Sequence, residues 1–169
     1  MASTQPLRDE HAELTPHIAA LAAAGDAVGR HDLDDLRAKV DASYDFLTTQ
    51  LIPHAGAEDR ALYPVVQRVL GAPEATATMS RDHVEVDRLT AQLGALRARL
   101  AATGDVDGEL ADDLRRVLYG LHALVSVHFA KEEEVYLPML EARLTDAEAH
   151  EMFAAMHGDH EHHEHHEHH

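Results

Sequence analysis

His54-Ala55-Gly56-Ala57-Glu58-Asp59-Arg60-Ala61-Leu62-Tyr63-Pro64 is written again 74 residues later, as His128-Phe129-Ala130-Lys131-Glu132-Glu133-Glu134-Val135-Tyr136-Leu137-Pro138. Both stretches carry a His-x-x-x-Glu step, an acid after the glutamate, a bulky pair and a closing proline. On a helix, four residues turn the chain by about 400° and lift it by roughly 6 Å, so each histidine shares a face with its glutamate. Upstream of each copy lies a further histidine in similar surroundings, Asp9-Glu10-His11-Ala12-Glu13-Leu14 and Arg81-Asp82-His83-Val84-Glu85-Val86. His11 precedes His54 by 43 residues and His83 precedes His128 by 45. Such intervals suit two long helices joined by a short link, so the chain reads as two helical hairpins, each offering His, His and Glu.

Working outward, Leu7, Leu14, Ile18 and Leu21 recur at helical spacing after Thr4 and Pro6. Pro16 is expected to kink or reset this first helix, and Gly25 to Gly29 to break it. A second helix beginning near Asp32 carries Leu33, Leu36, Val40, Tyr44, Leu47 and Leu51, with a bend at Pro53 and helical structure continuing to about Leu70. A third runs from Pro73 or Glu74 to Leu100, with Met79, His83, Val86, Leu89, Leu93 and Leu96 facing inward. The fourth opens near Asp107, and its stripe of Leu110, Leu114, Val117, Leu121, Leu124, Val125, His128, Glu132 and Val135 passes through a histidine and a glutamate. Polar groups on a buried stripe demand a reason. Thr145-x-x-Glu148 is a capping box that opens a short fifth helix ending near Met156.

With 169 residues the chain has the size of one domain, and a four-helix bundle is a natural match. Residues 1–156 form that domain, and 157–169 are expected to be a disordered tail rich in His and Glu, either a native metal-binding segment or an appended purification sequence. The tail holds eight of the sixteen histidines. A net charge of −17 argues against nucleic acid or an anionic membrane as partner. No cysteine is present, which excludes thiolate chemistry and cysteine-ligated metals. No secretory signal and no membrane-length apolar run is seen, and a cytoplasmic protein, a monomer or weak dimer, is expected.

Stacked antiparallel, the hairpins bring His11, His54, Glu58, His83, His128 and Glu132 together at the bundle centre. Two buried carboxylates repel unless cations lie between them. Two metal ions bridged by the glutamates, each taking histidines from its own hairpin, meet that need. A donor set of imidazole and carboxylate without thiol suits iron, with manganese or zinc less favoured.

On these residues the chain resembles the hemerythrin-like, HHE cation-binding family, whose pattern is a histidine, HxxxE, a histidine and HxxxE, matched over about residues 5 to 140. The resemblance implies an all-α, antiparallel up-down four-helix bundle holding a non-haem diiron centre with an oxo or hydroxo bridge. It also implies oxygen, peroxide and nitric oxide as ligands. The match departs from the oxygen-carrying members: Asp87 stands where they have a second histidine on helix three. Their five-residue step to the last carboxylate points to Glu133, whereas the repeat selects Glu132. Fewer histidine ligands favours redox chemistry at an open iron, that is, reduction or disproportionation of hydrogen peroxide, with nitric oxide as co-substrate or ligand; the alternative is oxygen or nitric oxide sensing, or iron buffering, without turnover. His17 competes with His11 if Pro16 redirects the helix. His122 reads as a packed or supporting histidine, and His31 and His150 as surface residues. Asp59 and Glu133 are candidate partners of the ligating histidines, and a buried tyrosine among Tyr44, Tyr63, Tyr119 and Tyr136 can supply a hydrogen bond, an electron or a ligand.

Overall fold

In a computed structural model, residues 2–30 and 32–167 are described, with side chains as far as Gly158. Five helices and no strand are found among the described residues. Helix α1 (Gln5–Ala27) has Pro6 in its first turn, where the missing N–H has no partner to lose. It runs through Pro16 without resetting, because Pro16 lies on the exposed side while His11, Leu14, Ile18 and Leu21 remain buried together. The break expected from Gly25 also begins later. Gly25 is inside the helix, where an added Cβ would lie 2.7 Å from the Tyr119 ring, so this glycine permits close packing of helices. The link that follows turns at Gly29, with φ of +83°.

Helix α2 (residues 33–70) is capped by Asp32, whose side chain accepts from the Asp35 N–H at 2.9 Å. It passes Pro53 and Pro64 by widening ahead of each. The Ile52 N–H bonds to the Leu47 carbonyl and the Tyr63 N–H to the Glu58 carbonyl, five residues back instead of four. The same wide turn precedes Pro138, where the Leu137 N–H bonds to the Glu132 carbonyl. In all three cases the carbonyl four residues before the proline lies inside the widened turn, which relieves the clash a regular helix would impose.

This extra residue per turn changes which side chains face inward. In an unbroken α-helix, five residues would leave Tyr63 about 140° away from Glu58. The wide turn brings it back over Glu58, and Tyr63 is buried. The same shift turns Val135 out to 58 % exposure and buries Leu137 fully, so Val135 does not belong to the inward stripe assigned to it by uniform helical spacing.

A short 3-10 turn (Pro73–Thr76) leads into α3 (Ala77–Ala102), and Asp107 caps α4 (residues 108–143) by accepting from the Leu110 N–H at 2.8 Å. The capping box closes as expected: Thr145 N–H to Glu148 at 3.0 Å and Glu148 N–H to Thr145 Oγ1 at 3.1 Å. Helix α5 (Asp146–Glu167) continues past Met156. The disorder expected of the tail concerns residues whose side chains, beyond Gly158, lie outside the described set, as does His31.

Helices α1 and α3 each pack against both α2 and α4, closing a four-membered ring joined by short links. Two apolar clusters fill it. One contains Leu14, Leu51, Val86 and Val125; the other contains Leu7, Leu62, Met79 and Leu137, and α5 covers it with Met152, Phe153 and Met156. On each of the four helices the histidines and glutamates fall between a member of one cluster and a member of the other. The polar residues therefore form a single layer sandwiched by hydrocarbon.

Candidate metal centre

All six sequence-predicted residues meet in that layer, and all are buried: His11, His54, Glu58, His83, His128 and Glu132. His11 Nε2 is 3.3 Å from Glu132 Oε1, and His54 Nε2 is 3.6 Å from Glu58 Oε2. On the other side, His83 Nε2 and His128 Nε2 lie 3.3 and 3.7 Å from Glu58 Oε1, and His128 Nε2 is 3.6 Å from Glu132 Oε2. Each carboxylate thus turns one oxygen toward the His11/His54 pair and the other toward the His83/His128 pair. Donor atoms of His11, His54, Glu58 and Glu132 all lie within 4.8 Å of one another, as do those of Glu58, His83 and His128.

Whether these residues fit a metal is tested by what they leave unsatisfied. Among the described residues, six buried side-chain polar atoms have no hydrogen-bond partner, and five are here: His11 Nε2, His54 Nε2, both oxygens of Glu58 and Glu132 Oε1. The sixth is Thr90 Oγ1. Each orphan costs about 1–3 kcal/mol, and more when charged. A cluster of lone pairs aimed at shared points is what a cation requires, and it is otherwise hard to reconcile with a stable interior.

The opposite ring nitrogens are all held by carboxylates. His54 Nδ1 meets Glu10 at 2.7 Å, His128 Nδ1 meets Asp82 at 2.9 Å, His83 Nδ1 meets Asp59 at 3.0 Å and His11 Nδ1 meets Glu133 at 3.2 Å. Such contacts fix the ring orientation, place the proton on Nδ1 and leave Nε2 as the donor. The pattern is reciprocal. The acid before each early histidine supports the late histidine of its own hairpin, and the acid after each glutamate supports the early histidine of the other hairpin. Asp59 and Glu133 fill the supporting role expected for them. Glu10 and Asp82 were not singled out from sequence, although each directly precedes a candidate histidine in both repeats, and that recurrence was the available signal.

Proton affinities show the same crowding. Burial favours neutral His128, but the close carboxylates of Glu132 and Glu58 and their charges outweigh it, pushing it up to about 10. Burial likewise opposes a charge on His54, while Glu58 and Glu10 raise its pKa well above the ordinary range. Burial and the neighbouring Glu58 charge raise Glu132. Burial alone would raise Glu58 too; the His54 charge and the imidazoles crowded around it bring it well below the usual carboxylate range. Protons here occupy a field of negative charge that divalent cations would neutralise more fully.

Among the four tyrosines, Tyr63 enters the layer. Its hydroxyl donates to Glu132 Oε2 at 3.0 Å and lies 3.1 Å from His128 Nε2 and 3.3 Å from His83 Nε2. Burial, then the charges of Glu58 and Glu132, raise the phenol far above its ordinary pKa, so it is held as O–H. Phe129 stacks on His11 with ring centroids 4.0 Å apart. A cavity of about 20 Å³ is lined by Leu51, His54, Ala55, Glu58, His83, Val86, Val125, His128 and Phe129. Its volume is about that of one water probe, so it admits a molecule of very few atoms.

The two sequence ambiguities separate cleanly by position. Glu132 is fully buried, whereas the Glu133 side chain is 40 % exposed and contacts the outer nitrogen of His11. His17 is exposed and stacks on Phe46, away from the layer, and His122 is half-buried six residues before His128, about 120° round the helix from it. Asp87 and His150 are exposed.

Fold and layer together define a helical-bundle protein with a buried His/Glu site suited to metal. The model for the hemerythrin HHE cation binding domain matches residues 3–115 and 87–168, and the chain belongs to this family. No curated protein and no solved structure matches it. No described helix is long and apolar enough to cross a membrane.

Proposed function

We propose that His11 and His54 hold one metal ion and His83 and His128 a second, with Glu58 and Glu132 bridging the pair. Iron is the favoured metal, since hard carboxylate and borderline imidazole donors are combined without thiolate. The convergence of five unpartnered buried donor atoms in one layer carries this assignment. Manganese or zinc would suit the donors less specifically.

The activity we propose is reduction or disproportionation of hydrogen peroxide, with nitric oxide a further ligand of the same site. An iron pair supplies an electron reservoir: one peroxide takes two electrons and two protons to leave as two waters, and a second returns two electrons and two protons as it leaves as oxygen. The residues do the rest. Glu58 and Glu132 fix the spacing of the two positions, and the four outer carboxylates hold the imidazoles in place. Leu51, Val86, Val125 and Phe129 wall the cavity with hydrocarbon, which restricts entry to small oxidants and excludes bulky reductants. The Tyr63 O–H stands at the edge of the layer as a hydrogen-bond donor. Peroxide loss followed by oxygen evolution should be seen with iron-loaded protein and vanish in Glu132→Ala. Unchanged turnover in that variant would contradict the proposal, and a stable nitric oxide adduct without peroxide turnover would assign the site to binding alone.

A further inference from the structure

The two halves of the layer repeat in sequence but differ in how their donor atoms are engaged. At the His11/His54 position, the four facing atoms are His11 Nε2, His54 Nε2, Glu58 Oε2 and Glu132 Oε1, and none has a hydrogen-bond partner. At the His83/His128 position, three of the four facing atoms are engaged. His83 Nε2 and His128 Nε2 lie 3.1 Å apart and both contact the Tyr63 hydroxyl, which also donates to Glu132 Oε2. The origin of this difference is one substitution within the repeat. Tyr63 follows Glu58 by five residues, and the residue five after Glu132 is Leu137, which is fully buried and has no polar atom in its side chain to offer.

We infer that the two metal positions are filled in order, the His11/His54 position first and the His83/His128 position second. The inference rests on the two-ion assignment proposed above. An ion entering between His11, His54, Glu58 and Glu132 relieves unpaired donors and displaces no hydrogen bond. An ion entering between His83 and His128 must part their Nε2 atoms, which lie 3.1 Å apart, and disturb the Tyr63 contact with Glu132. Trading even one buried hydrogen bond separates the two affinities by about tenfold or more.

The test is a titration of chelator-treated protein with cobalt(II), followed by calorimetry and by the visible absorption of the bound ion. The full chain is used with its eight tail histidines, from His157 to His169, replaced by glutamine, so that the tail does not contribute. Two resolved events of one equivalent each are expected. His54→Ala should remove the tighter event, and His83→Ala should remove the weaker and leave the tighter with its spectrum intact; circular dichroism checks that each variant is folded. A single event of two equal equivalents would overturn the order while leaving the two-ion assignment standing. Loss of the tighter event in His83→Ala with its survival in His54→Ala would overturn it as well. One equivalent or none in the parent protein would instead overturn the two-ion assignment, and the order with it.

Discussion

The His11/His54 side and the His83/His128 side of the buried layer carry the same donor types, each imidazole backed by a carboxylate (Glu133 and Glu10 on one side, Asp59 and Asp82 on the other), yet their immediate neighbours differ at two equivalent positions. After His128 comes Phe129, stacked on His11; after His54 comes Ala55, beside a cavity that His83 and His128 also line. Five residues past Glu58 comes Tyr63 with its hydroxyl in the layer; five past Glu132 comes Leu137. The repeated residues define a frame of donor atoms, and the unrepeated ones make its two sides chemically distinct: one packed against an aromatic ring, the other furnished with a phenol, with a small cavity lined by residues of both.

The most damaging change to both sides should be Glu58→Ala. Glu58 belongs to both groups of convergent donors, whereas Glu132 belongs to one of them within the same distance. Metal analysis of purified protein should find the layer emptied in Glu58→Ala and less severely depleted in Glu132→Ala; equal retention in both would erase the difference between the bridges.

Next come the packing residues that distinguish the sides. Phe129→Ala should cost about 3–5 kcal/mol in chemical denaturation, as an aromatic side chain is removed from a packed interior. Ala55→Phe should cost about 1–3 kcal/mol through overpacking. It should also close the cavity, so that azide no longer perturbs the spectrum of the iron-loaded protein although its metal content is kept. Azide binding unaffected by Ala55→Phe would mean that small ligands enter elsewhere.

The outer carboxylates give a finer comparison. Glu10→Gln should weaken metal binding at His54 and Asp82→Asn at His128, each by about 10–100-fold in titrations with a competing chelator. Both carboxyls are held below their ordinary pKa. Burial raises them, but hydrogen bonding to His54 in one case and to Lys131 and His128 in the other more than offsets it. Loss confined to one side per variant would sharpen the contrast, and no loss in either would remove the supporting role.

A pH dependence with opposite signs for the two forms of the protein completes the comparison. His128 is raised from its ordinary 6.5 to about 10 in the fold. Its protonated form therefore stabilises chelator-treated protein fully below about pH 6.5, and that contribution is lost as pH rises through about 10. Metal binding must expel the same proton, so metal affinity should rise over the same window. Denaturation and metal titrations between pH 6 and pH 10 check both signs; parallel trends would show that His128 does not couple to the layer.

Much of this molecule was legible in the sequence because its chemistry is periodic. The HxxxE steps at His54 and His128, with partners at matched intervals, point to one buried layer, and the caps at Asp32, Asp107 and Thr145 mark helix starts by local hydrogen bonding alone. What escaped was the consequence of the prolines. A spacing rule of 3.6 residues places Val135 inside and says nothing of Tyr63 meeting His128, since the wide turns ahead of Pro64 and Pro138 change the phase by one residue. The continuity of α1 through Pro16 depended on which side of the helix faces solvent, a tertiary property. Glu10 and Asp82 were hidden because their partners lie some forty-five residues away, and only the packed helices bring them together.

Iron content per chain, measured together with the optical spectrum on protein whose tail histidines have been replaced, tests the central claim most directly. Two irons per chain, with a charge-transfer band typical of a bridged ferric pair that is lost in Glu58→Ala, is the expected result. A well-folded protein that never takes up more than a trace of iron would contradict it.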